Sequence, residues 1–207
     1  MLAIIGGSGL YQLDELSIEK EHVVDTPFGQ PSGPVIEGSY QGQSVLFLAR
    51  HGMNHQLLPG EVNYRANIFA LKSLGARRVL GISAAGSLRE DLKPGDLAIA
   101  SQYFDHTRGK RAYSFFGEGV AAHVSTAYPV CPALSADIRG AAARIGQALH
   151  FDKTYACCRA ALGYAGGKFL FTRRRKVRFS RHDQCAGSVF STRSANGLLH
   201  YLFSYRL

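Results

Sequence analysis

The sequence predicts an α/β fold with a mixed central sheet flanked by helices. Three observations carry that expectation. Short apolar runs of strand length recur, each closed by glycine or by small or charged residues. Two stretches between such runs space their apolar residues as a helix does. A Pro94-Gly95-Asp96 turn then introduces another apolar run. Strands alternating with helices indicate an α/β domain with a parallel or mixed sheet.

Taken in order, Leu2–Ile5 is a short apolar run ending in Gly6-Gly7-Ser8-Gly9, which reads as a buried strand feeding a glycine turn. Val45–Leu48 and Val79–Ile82 are further strand candidates. Asn63–Leu74 carries Ile68, Leu71 and Leu74 with Ala66 and Ala70, the stripe of an amphipathic helix that Gly75 should stop. Leu97–Ala100 is a strand after the proline turn, and Ser135–Leu149, with Ile138, Ala142, Ile145 and Leu149, is a second helix. After Cys157 the pattern fails. Arg173-Arg174-Arg175-Lys176 interrupts it, and the apolar residues beyond have no sustained period.

A chain of 207 residues with 46% hydrophobic content supports one sizeable core. No stretch approaches the roughly 20 apolar residues of a membrane span. The N-terminus has neither a basic region nor a cleavage-site pattern, so no signal peptide is expected. Cys131, Cys157, Cys158 and Cys185 lack metal-ligand spacing and read as free thiols of a cytoplasmic protein. The net charge of +9 is unevenly placed. Residues 1–157 hold 14 basic and 14 acidic side chains, whereas residues 158–207 hold 10 basic ones against Asp183 alone.

Three strand ends carry groups suited to an anion. Gly6-Gly7-Ser8-Gly9 offers close backbone approach and a hydroxyl donor, or is a structural turn. Arg50-His51-Gly52 offers a guanidinium fork for phosphate, or is a surface Arg beside a packed His. Ser83-Ala84-Ala85-Gly86-Ser87 offers space and a hydroxyl, or is a tight turn. Ligands of open α/β sheets bind beyond the carboxyl ends of strands, so the set is stronger than any member.

With these stretches the sequence resembles the methylthioadenosine phosphorylase branch of the purine nucleoside phosphorylases. Matching segments are Ile4–Tyr11, Asp25–Pro34 with Thr26-Pro27-Phe28-Gly29, Arg50-His51-Gly52 with His55, Asn63-Tyr64-Arg65-Ala66-Asn67-Ile68 and Ser83–Leu88. Pro94-Gly95-Asp96, Asp105-His106-Thr107, Ser114-Phe115-Phe116 and His123 through Cys131-Pro132 continue the match. The resemblance implies a phosphorylase/hydrolase-like fold and a homotrimer. It implies that Ser8, Arg50, His51 and Ser83 hold phosphate, that Ala84 lines the nucleoside site, and that His123 approaches a neighbouring subunit's site. The implied reaction is phosphorolysis of a purine nucleoside, with inorganic phosphate as co-substrate and no metal or organic cofactor.

The resemblance covers residues 1–157. The family's later motifs, including Glu-Gly-Pro-Arg, Gly-Met-Thr-x-Val-Pro-Glu and Thr-Asp-Tyr-Asp, are absent from residues 158–207. Apart from Glu-Gly-Pro-Arg, which does not reconstruct fully, they return in order when degenerate codons are read from the second base, the last as far as Thr-Asp. Arg181–Phe190 then permits Gly-Met-Thr-Asn-Val-Pro-Glu-Val-Phe, Phe190–Leu199 permits Leu-Ala-Arg-Glu-Ala, and Ser204–Leu207 permits Val-Thr-Asp. A frameshift near residues 157–162 is therefore expected, with 158–207 an out-of-frame tail, lost or disordered, rather than a domain. The catalytic and base-binding groups would lie in the missing part, leaving the encoded chain inactive.

On this reading the substrate is S-methyl-5′-thioadenosine, because the recovered Thr-Asp suits a 6-aminopurine. Methylthioinosine or another 6-oxopurine nucleoside is the alternative within the family. A protein binding nucleic acid through Arg173–Lys176 is the alternative of another class, and salt-dependent binding lost on deleting 158–207 would mark it.

Overall fold

The computed structural model describes residues 1–7, 16–107, 112, 114–158, 185–186 and 199–206. These form two compact units, the first built on Met1–Ile82 with Lys110–Val124, the second on Ser83–Gly109 and Ser125–Ser204.

The first unit is organised around strand β1, Leu2–Gly6. It is flanked on both sides by parallel partners, β4 (Gln43–Ala49) and β5 (Arg78–Ala85). A strand bonded on both edges and covered on both faces is apolar at nearly every position, which explains the run Leu2-Ala3-Ile4-Ile5. Strand β3, Val35–Tyr40, pairs antiparallel with β4 and with β2, Leu16–His22, giving the order β2-β3-β4-β1-β5 and a mixed sheet. The β3–β4 hairpin closes through Gln41 and Gly42, both at positive φ (48° and 76°), the requirement of a two-residue type I′ turn.

Side-chain alternation then builds two apolar layers. Ala3, Val35, Leu46, Leu48 and Val79 share one face and pack with Ala70 and Leu71. Ile36, Val45 and Phe47 lie on the other, with Ile4 and Leu16 against them. Ala70 and Leu71 come from helix α1, Tyr64–Ser73. Its start and stop agree with the sequence expectation, since Asn63 caps it by accepting from the Ala66 N–H and the chain leaves it at Leu74.

The Asn63-Tyr64-Arg65-Ala66-Asn67 motif owes much of its character to packing. Asn63 donates from Nδ2 to the Phe28 carbonyl at 2.6 Å. Buried Asn67 accepts from the Ser32 N–H at 2.7 Å and donates to its Oγ at 2.9 Å. Two amides one helical turn apart therefore clamp the 26–32 loop onto α1. Phe28 also meets Phe69 and Phe115 edge-on and lies 5.0 Å beneath the Arg65 guanidinium.

In the second unit β6 (Leu97–His106) pairs parallel with β7 (Leu149–Cys158), while helix α2, Pro132–Arg144, sets Arg139 over the Phe151 ring at 3.8 Å. The expected helix 135–149 is thus displaced. It begins earlier, with Cys131 as N-cap and Pro132 in the first turn, where proline's missing N–H costs nothing. It ends earlier too, because Ile145 points to solvent, 79% exposed, and Leu149 opens β7. Strands β2 and β3 were not legible as apolar runs. Strand β2 carries Glu19, Lys20 and Glu21 on an exposed edge, where charge is the usual protection.

Within residues 158–207 the described residues form β8, Cys185–Ala186, and β9, Leu199–Arg206. β8 pairs parallel with β7, and β9 pairs parallel with β6 through His200–Leu202. These segments fall within the stretch expected to be lost or disordered. Leu199-His200-Tyr201-Leu202-Phe203 is locally a strong strand former, so it joins a ladder despite the lost global pattern.

Three variants check this packing by urea denaturation. Leu71→Ala, at a site with no exposure, should destabilise the chain by about 2–5 kcal/mol, and Ile145→Ala by under about 0.5 kcal/mol. Asn67→Ala should cost about 1–3 kcal/mol by leaving the buried Ser32 N–H and hydroxyl unpaired, and should speed exchange of the Ser32 amide.

Candidate anion site at the ends of the central strands

Parallel pairing determines where the strand ends meet. The register sets Gly6 opposite Ala49 and Ile5 opposite Gly81, so β1 and β4 terminate side by side. The Arg50 N–H continues this ladder by donating to the Gly6 carbonyl at 3.0 Å. A Cβ placed on Gly7 would have the Arg50 Nη2 as its nearest neighbour, at 3.8 Å. The guanidinium fork therefore stands beside the glycine turn, an arrangement that suits an anion.

His51 follows with a ring engaged on both sides. Its Nδ1 lies 2.8 Å from the Leu57 carbonyl, and its Nε2 is 3.2 Å from the Arg50 Nε. The arginine can only donate, so Nε2 accepts and the proton sits on Nδ1, donated to Leu57. Burial holds the His51 pKa below the ordinary histidine value. The Leu57 hydrogen bond opposes that shift, and the positive neighbours Arg50 and His55 add to it.

The loop after His51 is built to keep the ring there. Leu57 N–H donates to the His51 carbonyl at 3.0 Å, and Gly52 N–H donates to the Ala49 carbonyl at 3.0 Å. Gly52 has φ of +78°, a left-handed conformation that favours glycine. His55 also has positive φ, 55°, and its ring lies 4.8 Å from that of His51.

Of the residues singled out by sequence, Arg50 and His51 are brought together beside Gly7. Ser8 lies outside the described residues. Ser83 falls in the second unit, inside β5 rather than after it. There it is buried and donates to the Ala84 carbonyl at 3.3 Å. Ala84 alternates to the opposite face of the same strand. His123 is exposed on an irregular segment that also exposes Phe115, Phe116, Val120 and Tyr128. Leu57, which holds His51, was not legible as a site residue, because its part is played by a backbone carbonyl. Among the described residues no group of three or more His, Cys, Asp or Glu is placed to hold a metal ion.

Comparison with known proteins agrees with this architecture. The chain is 48% identical over 157 residues to S-methyl-5′-thioadenosine phosphorylase of Geobacter sulfurreducens, covering 76% of this chain and 55% of that protein. It thus spans about half the length of that curated relative. Among solved structures, a methylthioadenosine phosphorylase from an antarctic soil metagenomic library superposes with a TM-score of 0.75 at 42% identity. That match covers 82% of this chain and 61% of the other. Methylthioadenosine phosphorylase from Schistosoma mansoni in complex with adenine superposes with a TM-score of 0.74 at 31% identity, covering 82% and 65%. The family description of the phosphorylase superfamily matches residues 1–164, and the chain belongs to that superfamily.

Proposed function

We propose that residues 1–157 are the amino-terminal part of a purine nucleoside phosphorylase acting on S-methyl-5′-thioadenosine, and that residues 158–207 are read from a shifted frame. The observation that carries this is a coincidence of limits. Similarity to the Geobacter enzyme extends over 157 residues. The charge balance changes from neutral to strongly basic, and the family motifs cease, beyond residue 157, and the superfamily match ends at residue 164. The arginine-rich tail is then a product of the shifted frame, not a surface for nucleic acid.

In the proposed reaction a phosphate oxygen attacks the ribosyl C1′ while the C1′–N9 bond breaks and its electron pair leaves with the purine, which takes a proton at N7. The products are adenine and S-methyl-5-thioribose 1-phosphate. Ser8, Arg50, His51 and Ser83 serve the phosphate, whose charge and orientation they hold for in-line attack. Ala84 and His123 belong to the nucleoside side, His123 reaching a neighbouring copy's site in a homotrimer. The groups that hold the purine and accept its leaving charge are encoded in the adjacent frame. Binding phosphate alone does not lower the barrier to glycosidic cleavage, so the 207-residue chain is inactive. The enzyme works in the cytoplasm without a metal or organic cofactor.

The test is phosphate-dependent release of adenine from methylthioadenosine, run on the 207-residue chain and on a frame-restored chain. Turnover is expected only from the second, and equal turnover by both sinks the placement of the active site. In the restored chain Arg50→Ala should raise the phosphate KM by about 10- to 150-fold, the equivalent of about 1.5–3 kcal/mol for a charge-assisted bond. Changing the restored Asp of Thr-Asp to Asn should move preference toward 6-oxopurines.

A further inference from the structure

We propose that the ring of His51 is not an anion ligand but a positioning residue, acting neutral and through Arg50. The inference rests on reading Arg50 as a phosphate-binding group.

Three observations meet on it. The Arg50 Nε donates to His51 Nε2 at 3.2 Å, which spends the ring's acceptor on the guanidinium. The opposite nitrogen donates to the Leu57 carbonyl at 2.8 Å, which spends the ring's proton on the backbone. The loop between them is closed by Leu57 N–H on the His51 carbonyl at 3.0 Å and bends at Gly52, which holds the Leu57 carbonyl against the ring. A guanidinium on a flexible stem has many rotamers. Fixing Nε removes many of them, with Nη2 beside Gly7. A second proton on His51 would place two donors nose to nose at Nε2 and Nε. Protonation therefore swings the fork away, although it adds positive charge to the site.

This separates the two roles by sign. An imidazolium ligand would bind an anion more tightly as pH falls, whereas a positioning imidazole loses its hold. Among the described residues, the charged and titratable groups acting on the His51 ring are Arg50 and His55. His55→Asn removes the latter's titration and suits the positive φ at that position.

The experiment uses the 207-residue chain carrying His55→Asn, with sulfate as probe, because its charge stays constant where histidine titrates. Long-range proton–nitrogen NMR reports which His51 nitrogen bears the proton and at what pH the ring charges. Calorimetry measures sulfate affinity on either side of that midpoint. The expected result is a proton on Nδ1 and affinity falling by about tenfold as the ring charges. His51→Gln, which keeps an uncharged acceptor near the Nε2 position, should bind sulfate within about threefold of the parent and lose the pH dependence. His51→Leu should bind weakly at every pH. A proton on Nε2, or affinity that is unchanged or rises across the midpoint, overturns the proposal. Absence of sulfate binding at all pH values instead overturns the anion-site reading of Arg50, and the NMR tautomer still decides how His51 is held.

Discussion

The position of β1 is the constraint on which the first unit depends. Because β1 is bonded in parallel to β4 and β5, the three strands share one direction. Antiparallel neighbours would have put their termini at opposite ends. The shared direction forces near-complete apolarity on Leu2–Ile5, since β1 has no solvated face. It also brings Gly6-Gly7 and Arg50 to one rim. The Arg50 N–H to Gly6 carbonyl bond is the last rung of that ladder, so the chemistry of the rim begins where the register ends.

From that rung outward each residue type is explained by a different requirement. Gly7 lies beside the arginine fork, Gly52 carries a left-handed backbone conformation that favours glycine, and His51 spends both nitrogens on its neighbours. Asn63 and Asn67, equally prominent in the sequence, face the 26–32 loop. A motif can thus be specific for two reasons. Arg50-His51-Gly52 is specific because it presents charge in a set direction, and the asparagine pair because a buried loop needs its backbone donors and acceptors satisfied.

The central strands and α1 were legible because burial imposes period on their residues. Leu46 and Leu48 face one layer, Val45 and Phe47 the other, and the Leu71 stripe fits the helical period. The edge strand β2 was not, since Lys20 and Glu21 are selected by solvent and the edge. Helix α2 was misplaced because its alanines carry little directional signal. Its boundaries follow from Cys131-Pro132 at the start and from solvent at Ile145. At the candidate site the charged residue was legible and its support was not. The Leu57 carbonyl has no signature in a one-letter sequence.

The tail shows what strand pairing does and does not say about a sequence. Exposed ladder edges offer unpaired N–H and C=O groups to any segment with adequate strand preference, and the bonds are backbone bonds, blind to side-chain identity. Leu199–Arg206 meets that condition through its aromatic and aliphatic residues. It pairs with β6 at Leu97 to Ile99, whereas β1 engages β4 over five positions and adds layers of matched side chains. Pairing at β1 is specified by everything packed around it. Pairing at β9 needs only a β-forming run, and a shifted frame that encodes Leu, Tyr and Phe in succession supplies one by composition. The β9 ladder is therefore compatible with an out-of-frame origin for residues 158–207, and the concentration of positive charge in the same residues is the feature that a shared core would have opposed.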